Sequence, residues 1–324
     1  MADPSPARPR IAVYVDLDLV GDGLIKLPFV RALRHAYPTG ELTWVAGRGR
    51  SAYGGALAPV VGGLIDRVIE ESGVGRGLAA ALGGRLDLLI DTQSKLATTL
   101  ALRRLRPRRF FAATWNGLLS DRWPPRGYRK PRRLIRRLLD ILEHAAGAPA
   151  APDAALTLPD AAIARAAALL PAGPRYVVQA VGAGGRHKAW PAERHVALAH
   201  ALQAAGAQPV LILGPDERGL HAALAEAAPR ARFPLQEGPQ AGPELTIALA
   251  ARCAAGVAGD CGGGHMLAAS GVPMVSLFGP TDPAKFAPWA SRLTVLRAQD
   301  WGGEAMAAIP VAAVLEALEG LRAE

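Results

Sequence analysis

The chain has 324 residues, half of them apolar with few aromatics, and a formal net charge of +9. That length suits about two domains of ordinary size, with enough Ala, Leu and Val to fill their cores. No apolar run reaches the ~18 residues of a membrane-spanning helix, the opening residues lack the charged-then-apolar order of a secretory signal, and two cysteines, Cys253 and Cys261, give no disulfide framework. The expectation is a globular protein of a reducing cytoplasm.

In chain order, residues 11–15 (IAVYV) read as a buried strand and residues 24–35 as the helix after it. Residues 41–46 (ELTWVA), 67–69 and 86–90 (LDLLI) are further short apolar runs, and residues 96–105 have a helical pattern. Strands alternating with helices predict a parallel sheet covered on both faces. In residues 132–144, Leu134, Leu138 and Ile141 recur at helical spacing. Residues 145–159 are rich in Ala and Pro with weak periodicity, which places a boundary between domains 1–155 and 156–324.

The alternation then resumes. Residues 176–179, 209–213, 255–258 and 273–278 read as strands, and residues 191–205, 244–252 and 311–321 as helices. Pro191 stands at the expected first helical position, where its missing N–H costs nothing. Two α/β units in one chain imply a cleft between them, and the last helix is expected to pack back on the first domain.

The positive charge is concentrated. Residues 103–137 hold 13 Lys or Arg against one acid, Asp121, while the remainder holds 24 basic and 27 acidic residues. Such a segment attracts an anionic membrane, a phosphorylated substrate or nucleic acid, or is a solvated Arg-rich surface. Its aromatics, Phe110, Phe111, Trp115, Trp123 and Tyr128, are not interleaved as a single-strand stacking platform requires, so nucleic acid is the least favoured partner.

Three stretches carry chemistry. In an open α/β sheet the loop at the carboxyl end of a strand faces the ligand crevice. Gly-Asp-Gly at 21–23 therefore puts Asp22 where a carboxylate accepts a proton or binds a sugar hydroxyl, although taken alone the three residues read first as a turn with a helix-capping Asp. In VGAGGRHKAWP at 181–191, Gly184 and Gly185 let backbone N–H groups approach an anion, with Arg186, His187 and Lys188 beside them. The spacing is not that of a nucleotide-triphosphate P-loop, and a solvent-facing turn is the alternative. Finally, Gly262, Gly263 and Gly264 form a loop running into a helix that begins near Gly264, bracketed by Asp260 and His265. Bare N–H groups and the helix dipole make such a place an anion site. The next strand ends in FGPTDPAKF, which brings Thr281 and Asp282 to the same crevice.

The run GDCGGGHMLAASGVPMVSLFGPTDPAKFAP at 259–288 resembles the C-terminal signature of glycosyltransferase family 9, the bacterial lipopolysaccharide heptosyltransferases. KAWPAERHVALAHAL from Lys188 is similar to that family's donor-site loop, and GDGLIKLPFVRALRHAYP from Gly21 to its N-terminal motif. The resemblance implies a GT-B fold, in which two Rossmann-like, doubly wound domains face a central cleft, the first binding acceptor and the second donor. It implies inversion at the anomeric carbon without a metal and without a separate cofactor. Asp22 would be the base and Lys188 the cation that neutralises the departing diphosphate. Gly184, Gly185, Gly262, Gly263 and Gly264 would offer N–H groups to that diphosphate. Asp260, Cys261, His265, Thr281 and Asp282 would hold the donor, with Glu217 on the nucleotide ribose.

The implied donor is a nucleotide-diphosphate sugar, ADP-heptose. The implied acceptor is an anionic glycan or glycolipid, met by a monomeric enzyme at the anionic inner-membrane surface. The alternatives are another nucleotide sugar, a non-lipid acceptor, or a catalytically dead sugar-nucleotide binder. Three places depart from the family pattern. Cys261 replaces a Ser or Thr, Ala183 and Gly184 replace hydroxyl residues, and Asp16-Leu17-Asp18-Leu19-Val20 stands where a Lys or Arg with Ser-Ser is usual.

Overall fold

The computed structural model describes residues 8–121, 125, 127–239 and 241–323. They form two compact units, residues 1–157 and 158–324.

The first unit contains β1 (Arg10–Val15), α1 (Val20–Ala36), β2 (Glu41–Ala46), α2 (Ala58–Val61), β3 (Arg67–Ile69), α3 (Arg76–Leu82), β4 (Leu88–Asp91), α4 (Leu96–Arg103), β5 (Arg109–Ala112) and α5 (Leu134–Ala146). The strands pair in parallel in the order β3-β2-β1-β4-β5. β1 and β4 are apolar and buried almost throughout, as central strands covered on both faces must be. α5 packs on α1 and β5, buries Ile135, Leu138, Leu139, Ile141 and Leu142, and ends at Gly147 in the left-handed conformation.

α1 starts four residues before its expected beginning, so Gly21, Asp22 and Gly23 form its first turn and not a loop. Gly23 is required there by packing. A Cβ on it would lie 2.6 Å from Leu57 Cδ1 and 3.2 Å from Tyr53 Cε1.

β5 falls inside the basic segment and is a strand that the charge pattern hides. Its Phe110 and Phe111 are core residues. Neither is available to stack a base, and the Tyr128 hydroxyl is committed to Asp140 Oδ2 at 2.9 Å. Trp115 is exposed, and Trp123 lies outside the described residues.

The second unit contains α6 (Asp160–Leu169), β6 (Tyr176–Ala180), α7 (Ala192–Ala204), β7 (Gln208–Ile212), α8 (His221–Ala227), α9 (Pro243–Ala250), β8 (Ala255–Gly259), α10 (Gly262–Ala269), β9 (Met274–Phe278), α11 (Pro283–Phe286), β10 (Leu293–Arg297) and α12 (Val311–Ala323). Its parallel sheet runs β10-β9-β8-β6-β7. Side chains alternate across it. Val178, Ala180, Ala258 and Met274 meet α6, α9 and α10 on one face, and Val177, Val257, Val275 and Leu277 meet α7 and α12 on the other. Pro191 is the residue preceding α7, with ψ 141°, one position before the place expected for it. The terminal helix α12, expected on the first domain, buries Val314, Leu318 and Leu321 in the core of the second unit.

Both sheets are doubly wound, and each reverses its strand order once. The reversal lies between β1 and β4 in the first and between β6 and β8 in the second. Ligands of such sheets bind at the carboxyl ends of the strands flanking the reversal.

Candidate functional site

In the second unit the two loops flanking the reversal are joined by an ion pair. Lys188, in the loop after β6, places Nζ 3.1 Å from Oδ2 of Asp260, the residue after β8. Both side chains are largely shielded, so the pair is less screened than a surface salt bridge. The backbone packs tightly around it. A Cβ on Gly263 would lie 2.8 Å from that of Ala180, and one on Gly264 would lie 3.0 Å from the Gly259 carbonyl oxygen.

The three glycines thus belong to the first turn of α10, which begins two residues before its expected start, at the end of β6 and β8. The Gly264 N–H is taken by the Cys261 carbonyl at 3.1 Å.

Cys261 immediately precedes α10. Burial pushes its thiol pKa up, with Asp260 and Glu217 adding to the effect and the N–H groups of Gly264 and Gly263 opposing it. Glu217 lies against the loops after β6 and β7. A Cβ on either Gly182 or Gly214 would come within 2.7 Å of its Oε2. Gly184 and Gly185 lie in the loop carrying Lys188, and a Cβ on Gly185 would meet the His187 ring at 3.0 Å. His265 follows the glycines in α10 and is half-buried. Beyond β9, Asp282 caps α11 by accepting from the Ala284 N–H at 2.9 Å, while the buried Thr281 Oγ1 has no hydrogen-bond partner among the described residues. One ion pair, one helix N-terminus and two carboxylates, Asp260 and Glu217, therefore gather at the β6/β8 reversal.

The first unit has a counterpart with the charges exchanged. Asp16, after β1, accepts ion pairs at 2.7 Å from both Lys95, after β4, and Arg48, after β2. Arg48 and then Lys95 hold the Asp16 carboxyl below the usual carboxylate range. Asp22 is exposed in the first turn of α1 and receives a long, 3.4 Å contact from the Leu19 N–H. An acid at this place is favoured by the helix dipole. Leu17, Leu19 and Val20 around it are exposed apolar residues.

Two buried charges beside Asp22 escape sequence reasoning. Asp18 is 1% exposed and accepts from Trp44 Nε1 at 3.0 Å and Ser51 Oγ at 3.1 Å. Burial raises its pKa, against the hydrogen bonds from Ser51 and Trp44. Lys26 is 8% exposed and donates to the Asp22 carbonyl oxygen at 3.3 Å. A lone Lys within the apolar stretch LIKLPFV was the available signal.

A second buried acid, Asp91 at the end of β4, accepts from Thr99 Oγ1 at 2.6 Å and from the Gln93 N–H at 2.9 Å. Burial pushes its pKa up to about 6.

The basic segment is not one solvated face. Arg136 pairs with Asp140 at 2.5 Å and with Glu143, Arg103 pairs with Asp121 at 3.0 Å, and Arg109 donates to the Ala145 carbonyl at 2.6 Å. These arginines fasten the first unit together. Arg104, Arg106, Arg129 and Lys130 are exposed. Among the described residues, no helix is long and apolar enough to cross a membrane.

A family model described as glycosyltransferase family 9 (heptosyltransferase) matches residues 76–307, most of the chain. No curated protein matches the sequence. Among solved structures, a glycosyltransferase family 9 protein from Veillonella parvula DSM 2008 gives a TM-score of 0.73 at 19% identity, over 97% of each chain. The ADP-heptose lipopolysaccharide heptosyltransferase II of E. coli gives 0.67 at 19% identity, over 97% of this chain and 98% of that one. The E. coli heptosyltransferase WaaC with ADP-2-deoxy-2-fluoro heptose gives 0.68 at 20% identity, over 96% and 99%. At such identities the structural likeness speaks for the fold, and the family match speaks for the rest. With two parallel, doubly wound sheets and this match over most of its length, the chain belongs to glycosyltransferase family 9 and is a glycosyltransferase of the GT-B, heptosyltransferase-like fold.

Proposed function

We propose that the protein transfers a heptosyl group from ADP-heptose to an anionic glycan acceptor of the lipopolysaccharide core kind, with inversion and without a metal. The observation that carries this reading is the Lys188–Asp260 pair at the β6/β8 reversal, beside the first turn of α10. Fixed cations and oriented N–H groups stabilise a charge that develops on a leaving group without having to reorganise. Lys188, with the Gly262 and Gly263 N–H groups, is assigned to the diphosphate. Asp260, Cys261, His265, Thr281 and Asp282 are assigned to the donor sugar and its linkage, Glu217 to the ribose, and Gly184 and Gly185 to close backbone approach. The named ligand of the E. coli relative, ADP-2-deoxy-2-fluoro heptose, agrees with this choice of donor.

Asp22, in the first unit, is assigned the role of base. It takes the proton from the acceptor hydroxyl as that oxygen attacks the anomeric carbon from the side opposite the diphosphate, so the configuration inverts. A general base contributes about 10²–10⁴-fold to rate. The exposed Arg104, Arg106, Arg129 and Lys130 are assigned to an anionic acceptor or inner-membrane surface. On this reading residues 1–155 bind acceptor and residues 156–324 bind donor.

A thermal-shift panel of nucleotide sugars tests the donor. ADP-heptose at about 100 times its Kd should add about 2.7 kcal/mol of apparent stability. A response confined to UDP- or GDP-sugars would transfer the reading to another donor.

A further inference from the structure

Leu100, Trp115 and Leu118 are large apolar side chains left 41%, 60% and 68% exposed. They lie on two segments that hydrogen bonds fasten together. Thr99 on α4 shares a 2.6 Å hydrogen bond with Thr114, just after β5. Arg103 on the same helix donates to the Leu119 carbonyl at 2.6 Å and pairs with Asp121 at 3.0 Å. Leu100 stands between the two anchoring residues of α4, and Trp115 and Leu118 stand between their partners. The tethers therefore bracket one apolar patch.

The backbone that presents Trp115 is strained. Trp115 has φ 47° and ψ 46°, and Asn116 has φ 58° and ψ 26°, a left-handed conformation that bulky residues rarely adopt. Contacts on both sides enforce it. The buried Thr114 hydroxyl is held by Thr99 and donates to the Gln93 carbonyl at 3.1 Å, and the buried Gly117 follows. Strain of this kind persists only where its surroundings over-determine it, and it gathers at binding segments.

The charge around the patch has one sign. Arg104 is four residues from Leu100 on α4 and shares its face, and both Arg104 and Arg106 are exposed. The one acid among residues 103–137, Asp121, is taken up by Arg103. Apolar and aromatic side chains rimmed by arginines match the headgroup boundary of an anionic bilayer, where indole rings concentrate and cations meet lipid phosphates. A water-soluble anionic glycan would engage the arginines but leave Leu100 and Leu118 in water.

We infer that the Trp115–Leu118 turn and the Leu100 face of α4 form a docking surface for an anionic lipid bilayer. Trp115 and Leu118 enter the headgroup boundary, and Arg104 and Arg106 lie on lipid phosphates. This rests on the reading of an acceptor presented at an inner-membrane surface, and it names the residues that make the contact.

The test is flotation of the full chain with vesicles of phosphatidylcholine alone or mixed with phosphatidylglycerol, without donor or acceptor. Binding should require phosphatidylglycerol. Trp115→Ala/Leu118→Ser should lower the partition constant about tenfold or more. Arg104→Ser and Arg106→Ser should each lower it about fivefold. Lipids brominated on the acyl chains should quench tryptophan emission in the wild type and much less in Trp115→Phe. ADP-induced thermal stabilisation checks the fold of each variant, and Leu118→Ser alone replaces the double variant should that one fail to fold.

Binding unchanged by the apolar substitutions, or equal quenching in Trp115→Phe, overturns the inference, as does wild-type protein that ignores anionic vesicles. Intact vesicle binding with a raised KM for a delipidated core acceptor also overturns it, because the turn would then be an acceptor contact. Vesicle binding without heptosyl transfer would instead refute the proposed function and leave the docking surface standing.

Discussion

Lys188→Ala perturbs the proposed donor site where its geometry is most explicit. The ammonium is 3.1 Å from Asp260 Oδ2, and the Asp260 side chain is only 13% exposed. Loss of one charge-assisted hydrogen bond to a phosphate costs about 1.5–3 kcal/mol, which is about a 10–150-fold rise in Kd for ADP. A second effect adds to this. Without Lys188 the Asp260 carboxylate is left uncompensated and repels the incoming diphosphate. The single substitution should therefore fall at the upper end of that range. In Lys188→Ala/Asp260→Asn the repulsion is gone, and about tenfold of the lost affinity should return, equivalent to a coupling of about 1.4 kcal/mol.

Isothermal titration with ADP and with AMP reads the effect, AMP serving as a ligand without the second phosphate. ADP binding as tight as in the wild type would refute the assignment of Lys188 to the diphosphate. An equal loss for AMP and ADP would refute it as well, because the site would then have been disturbed as a whole.

Asp22→Asn should lower kcat by about 10²–10⁴-fold while leaving the calorimetric Kd for ADP unchanged. The Asp91 carboxyl, with its pKa raised to about 6 by burial, binds a proton more tightly in the folded chain than in the unfolded one. Its contribution is thus fully present below the ordinary carboxylate range and is lost as pH rises through about 6, by about 3 kcal/mol in all. Denaturant unfolding should show the wild type losing stability relative to Asp91→Asn between about pH 4 and pH 6, and a difference that does not vary with pH would contradict the burial of that charge. Reversal of charge at Arg104, Arg106, Arg129 and Lys130 should weaken flotation with anionic liposomes or raise KM for a phosphorylated core acceptor, with ADP binding unchanged. If neither responds, these residues are merely solvated. Arg133, Arg136 and Arg137 are unsuitable for that purpose, since Arg133 is partly buried, Arg136 holds Asp140 and Glu143, and Arg137 donates to the Pro131 carbonyl.

The sheets were legible because runs such as IAVYV and LDLLI are central strands buried on both faces, where apolar continuity is obligatory. β5 and β10 were not. β5 is four residues inside an Arg-rich run, and β10 is an edge strand whose residues are only half-buried. The glycines misled at both helix starts, since they read as turns. Gly23, Gly263 and Gly264 are instead helical residues kept small by Leu57, Ala180 and the Gly259 carbonyl. The residue types of the proposed donor site stand in short motifs, but which of them the fold brings together could not be read from those motifs. Lys188 and Asp260 are 72 positions apart, and Lys95 and Asp16 are 79 apart. Only the strand order brings each pair together, by placing β6 beside β8 and β1 beside β4.

The most direct test of the heptosyl-transfer reading is a reaction of the purified full chain with ADP-heptose and a heptose-free lipopolysaccharide core, followed by mass spectrometry of the acceptor and NMR of the new linkage. The reading predicts ADP release matched one for one by heptosyl groups on the acceptor, with the anomeric configuration opposite to that of the donor. Transfer with retained configuration, or transfer only from a different nucleotide sugar, would contradict it.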